Sequence, residues 1–285
     1  MMQYKFSTPM RSYAAWLMCV IVIFLCLTAP VSASQLNDSK AEAAPLPGAT
    51  ADWTAVLEPL KLEAAQGSIR AMAYLGWMYE EGHGVARDMA MSAEWYERAA
   101  LAGAPRYAVK LGWLHLQGQL GKADRERAEY WFAEAIDAGH APAKIALASV
   151  LMANAMGGRD VDRIDEARVL LEQAHAQDEP LAAYFLARLY LEGVGGHETD
   201  IARGAEYTRV GAENGNAQMQ AWLAMMYADG AGVKRDEMET AFWAALSAAG
   251  GDPLGLRLHA QMREQLSDEQ RRSIMQRTVS WLDGR

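Results

Sequence analysis

Tyr74 to Asp88 reads "YLGWMYEEGHGVARD", and Trp222 to Asp236 reads "WLAMMYADGAGVKRD" with Leu, Met, Tyr, Gly, Gly, Val and Asp at the same spacing. A phrase that returns within one chain is first tested as a structural repeat, since periods of about 20 to 50 residues mark solenoids and propellers. With Leu75 as anchor, the equivalents are Leu111, Leu147, Leu186 and Leu223, at steps of 36, 36, 39 and 37 residues. The first glycine of the turn returns as Gly82, Gly118, Gly193 and Gly230, while the third copy has Asn154 there. A second phrase follows in "SAEWYERAALAG" ending at Gly103, "RAEYWFAEAIDAG" at Gly139 and "GAEYTRVGAENG" at Gly215.

Each unit is expected to be two helices. The anchor leucine with residues four before and three or four after it forms one apolar stripe, and Trp95 with Ala99 marks another. Between them Gly82 and Gly84 suit a helix stop and a turn with positive φ, and Asp88 suits an N-cap. Asp124, Asp200 and Asp236 take that capping place in other units. Small residues at Gly76, Gly112, Ala148, Ala187 and Ala224 allow close helix crossings. Near the C-terminus, Ser267 and Gln270 have capping-box spacing, and Ile274, Val279 and Leu282 supply the apolar positions of a terminal cap.

The order Leu-Gly-x-x-Tyr-x-x-Gly-x-Gly-Val-x-x-Asp, then Trp-Tyr-x-x-Ala-Ala-x-x-Gly, resembles the Sel-one-like repeat, a relative of the tetratricopeptide repeat. The likeness runs from about Trp53 to Gly251. It implies an all-α, right-handed α-solenoid of about five two-helix repeats with terminal capping helices. The expected organisation is a signal peptide at 1–33, a flexible lead-in at 34–52, a half-repeat at 53–68, five repeats at 69–252 and capping helices at 253–285. Such a fold needs no single globular core, because each unit buries its apolar face on the next.

The N-terminus carries Lys5 and Arg11, the apolar run "AAWLMCVIVIFLCL" and small residues at Val31 and Ala33, the pattern of a secretory signal cleaved after Ala33. The run is shorter than the roughly 20 residues of a membrane span, with an uncleaved inner-membrane anchor as the alternative. Export would place the protein in the periplasm or outside the cell. Cys19 and Cys26 are the only cysteines and both lie in this segment, so the processed chain would have no disulfide.

The whole chain has 27 basic and 36 acidic residues, and the processed chain would lose only Lys5 and Arg11. An acidic chain of this kind argues against nucleic acid as partner. The histidines lack zinc-protease spacing, and no nucleophile elbow, phosphate loop or dinucleotide fingerprint occurs. No metal, cofactor or catalytic residue is therefore expected. A cysteine-rich branch of the resembled family is associated with lactam hydrolysis; the absence of cysteine after residue 26 disfavours that alternative.

Binding is the expected role, with a structural assembly scaffold as a further alternative. If the buried stripe of each first helix uses positions minus four, zero, three and four from the anchor, positions minus one, two and six form another face. That face carries Tyr74, Trp77, Lys110, Trp113, Phe185, Arg188, Trp222 and Met225, with Ala146 and Ser149 in the third unit. In solenoids of the resembled kind the first helices line the concave side. The resemblance thus implies a groove for a peptide or helix of another protein, in an adaptor or regulator of the cell envelope.

Overall fold

The computed structural model describes residues 53–196 and 198–284. The signal-peptide and lead-in expectations, both cysteines and His197 lie outside the described residues. Among the described residues there are thirteen α-helices and no strand. Helix α1 is Trp53–Ala65, and five pairs follow: α2 (Ile69–Glu81) with α3 (Met89–Leu101), α4 (Pro105–Leu116) with α5 (Arg125–Asp137), α6 (Ala141–Met156) with α7 (Ile164–His175), α8 (Pro180–Glu192) with α9 (Ile201–Glu213), and α10 (Ala217–Asp229) with α11 (Glu237–Ala249). Two more helices, α12 (Pro253–Gln265) and α13 (Asp268–Asp283), complete the chain.

From α1 to α12 each helix packs on the next in sequence, and α13 packs back on α11, so the fold is an all-α solenoid of stacked helix pairs. All five anchor leucines are buried. The first helices α4, α6 and α8 also touch in turn, whereas no two second helices pack as extensively. Close crossings rest on missing side chains: a Cβ on Gly76 would stand 2.6 Å from the Tyr96 ring, and one on Gly112 2.4 Å from Phe132.

The turns follow the expected chemistry. Gly82 and Gly230 end α2 and α10 in the left-handed conformation, at φ 79° and 73°. Gly84 presses on the backbone of Trp53 at the start of α1, and Gly232 presses on Ile201 at the start of α9. Helix α1 therefore stands where the second helix of a preceding unit would stand. Asp88, Asp124, Asp200 and Asp236 all accept backbone N–H groups at helix starts. The Asp236 carboxylate takes two, from Met238 at 2.8 Å and Glu239 at 3.0 Å. Asp236→Ala is expected to cost about 1 kcal/mol, and Asp236→Asn less, in thermal melts.

The third unit departs from the others. Without a glycine at Asn154, α6 runs on to Met156 before Gly157 and Gly158 follow. A short 3-10 turn, Val161–Arg163, then leads into α7 with no side-chain cap. Ion pairs take the place of the cap: Glu129 on α5 accepts from Arg125 at 2.7 Å and Arg163 at 2.8 Å, and Arg163 also reaches Glu166. Burial opposes ionisation of Glu129, but its two arginines outweigh that and hold its carboxyl below the usual range. At the C-terminus the Ser267–Gln270 capping box forms and Ile274 is buried. Val279 and Leu282 are instead exposed.

Candidate functional site on the first-helix face

The inner face was expected to carry eight contact residues, and the packing divides them into three groups. Tyr74, Trp77, Trp113, Trp222 and Met225 are half-buried. Each ring among them is held on one side. Tyr74 lies under the Arg70 guanidinium, 5.4 Å from the ring centre. Trp77 packs on His83 at 4.5 Å and edge-on to Trp53 at 5.3 Å. Trp113 meets Phe132 edge-on at 5.3 Å, and Trp222 stacks on Tyr184 at 5.4 Å. These rings are braced by the scaffold and also reach its surface.

Lys110 forms the second group by itself. Its ammonium donates to Glu80 Oε1 at 2.7 Å, while the Tyr96 hydroxyl donates to Glu80 Oε2 at 2.8 Å. Burial, followed by the Glu80 charge, pushes the Tyr96 phenol far above its usual pKa. Tyr96 thus stays a donor at any working pH. This triad ties unit one to unit two, so Lys110 is a structural cation.

Phe185 and Arg188 form the third group and correct the expectation of an exposed face in the fourth unit. They are only 6% and 7% exposed. The Phe185 ring packs edge-on to Tyr184 at 5.3 Å. The Arg188 guanidinium donates two hydrogen bonds to Glu192, at 2.8 and 2.9 Å, and sits 6.0 Å from the Tyr184 ring. In the third unit, Ala146 and Ser149 are buried too, with the Ser149 hydroxyl donating to the Ala146 carbonyl. Position two of the repeat is therefore open in units one, two and five and closed in three and four.

The residue that sequence reasoning missed is Tyr184. It joins Phe185, Arg188 and Trp222. It falls at position minus two, outside the three-position face, and only the stacking of α10 on its ring marks it. Charge is also sorted between helix rows. Outside their C-terminal turns the first helices carry Arg70, Arg106, Lys110, Lys144 and Arg188 and no acid, whereas the second helices carry thirteen acids.

Among the described residues no group of three His, Cys, Asp or Glu could hold a metal. Burial, with Arg127 and Arg263 nearby, holds His115 and His259 below the usual histidine pKa, so both are neutral near pH 7. An open cleft of about 780 Å³ lies between α7, α8 and α9, lined by Arg168, Tyr190, Asp200 and Arg203. Its cations are matched by nearby carboxylates: Arg168 pairs with Asp165 and Glu172, and Arg203 with Asp200.

The stacked pairs, their glycine stops and their aspartate caps are the features by which the chain is compared with others. The Sel1 repeat matches residues 69–103, 105–140, 180–216 and 217–252, half of the chain. The protein belongs to the Sel1 repeat family. The unmatched stretch is the third unit, where the glycine stop and aspartate cap are missing. Among solved structures, a Sel1 repeat protein from Oxalobacter formigenes is 25% identical, covers 78% of this chain and 94% of its own, and superposes with a TM-score of 0.59. A protective antigen of uropathogenic Escherichia coli strains with the same repeat fold is 19% identical, covers 81% of this chain and 57% of its own, at a TM-score of 0.45. Among curated proteins none matches. Sel1 repeats generally mediate protein–protein interaction, and the solenoid they build is typically non-catalytic. No helix among the described residues is long and apolar enough to cross a membrane.

Proposed function

We propose that this Sel1 repeat protein is an exported adaptor or regulator that holds a partner protein of the cell envelope along its first-helix face. The row Tyr74, Trp77, Trp113 and Trp222 carries the proposal. Rings braced on one side and open on the other lose little freedom on binding, and such aromatics supply most of the energy at protein interfaces. A peptide or helix laid along the face would meet Trp77 and Trp113 at one end and Trp222 at the other. The buried fourth unit between them offers shape and no anchor.

The test starts with the partner captured by the protein from an envelope extract and identified by mass spectrometry. Trp113→Ala is expected to weaken its binding by about 2 kcal/mol, with Trp222→Ala comparable. Phe185→Ala, normalised to the folded fraction, should leave affinity unchanged. Loss of binding in Phe185→Ala alone, with both tryptophan variants silent, overturns the face assignment. Export is checked separately by fractionation and by the N-terminal residue of the isolated protein, for which Ser34 is expected.

A further inference from the structure

Helix α13 has a face that nothing among the described residues covers. Its inward side is fixed on α11. Ile274 is buried, and the Arg277 guanidinium lies 3.7 Å over the Phe242 ring while donating to Glu239 at 2.6 and 3.1 Å. At about 100° per residue, Met275, Val279 and Leu282 form a separate stripe roughly a third of a turn round from that side. They are 67%, 50% and 46% exposed. Single exposed apolar side chains are ordinary, but three at steps of four and three make the seam of a helix pair.

The stripe continues through Arg272, and Asp283 stands beside Leu282 on the same flank. Among the described residues neither Arg272 nor Asp283 enters an ion pair, whereas the adjacent Arg271 is bound to Asp268 and to the Arg263 carbonyl. We propose that α13 pairs, antiparallel, with α13 of a second copy of this chain.

The charges select both occupant and direction. With Met275 set against the second copy's Val279, Arg272 faces its Leu282 and lies one residue, about 1.5 Å, from level with its Asp283. Like flanks meet in an antiparallel pair, so twofold symmetry forms the Arg272–Asp283 contact twice. A parallel pair would set Arg272 against Arg272. One short helix buries less than the ~800 Å² per partner of a stable interface, so the dimer is weak and concentration-dependent. Because α13 sits on a second helix, the first-helix faces stay open, and a dimer would present two of them to one target.

Sedimentation velocity of the protein as isolated from cells, over a wide concentration series, should show a reversible monomer–dimer equilibrium. Val279→Asp should weaken it at least about tenfold. Arg272→Glu and Asp283→Arg should each weaken it about fivefold or more, and the double reversal should restore it to within about twofold of the parent. Helical melts of each variant confirm folding, since all three positions are exposed. A monomer at every concentration overturns the proposal. So does a dimer indifferent to Val279→Asp, a double reversal that fails to restore, or binding of α13 to anionic vesicles without self-association.

Discussion

Phe132→Ala is expected to lower the free energy of unfolding by about 3–5 kcal/mol, the largest single loss in the first two units. Its ring is fully buried, lies edge-on to Trp113, and fills the space left where Gly112 has no side chain. The helix backbone at Gly112 on one side of the ring cannot collapse into the void. Trp113 would lose the surface that braces it, so near-ultraviolet circular dichroism and tryptophan emission should change along with the denaturation midpoint. A loss under about 1 kcal/mol would mean that the crossing of α4 and α5 repacks freely. Partner affinity should fall as well, through a misplaced Trp113.

Glu80→Ala is expected to cost about 2–3 kcal/mol, more than an ordinary helix-surface change. The substitution removes both acceptors at once. The Tyr96 hydroxyl would be left in a site only 4% exposed, and Lys110 would lose its counter-charge. Tyr96→Phe, which deletes only the donor, should cost nearer 1 kcal/mol. The difference between the two by chemical denaturation measures what the carboxylate adds. If Glu80→Ala proves the milder change, the triad is not what couples the first unit to the second.

Other features were legible before the structure because they are local. Glycine stops and aspartate caps concern residues within one turn of each other, and Asp88, Asp124, Asp200 and Asp236 all cap as their positions imply. The third unit gave equally local warning: Asn154 in place of glycine went with a longer α6 and an uncapped α7. The face was legible only in part. Trp77, Trp113, Arg188 and Met225 share position two of the repeat, yet Arg188 is buried and donates to the exposed Glu192 while the other three are half-open.

The sequence by itself determined the repeat, its period, the two helices per unit and which leucines point inward, because each unit's contacts lie within itself or in the next unit along the chain. Tertiary structure decided which copies of one position reach solvent. That depends on the size of the side chains brought alongside from the next unit and on how closely the first helices approach, as Tyr184 under Trp222 and the touching α6 and α8 show. It likewise decided that Val279 and Leu282, equal to Ile274 in hydrophobicity, stay outside the cap. One helix can turn only one side towards α11, and the Arg277 contact with Phe242 and Glu239 fixes which side that is.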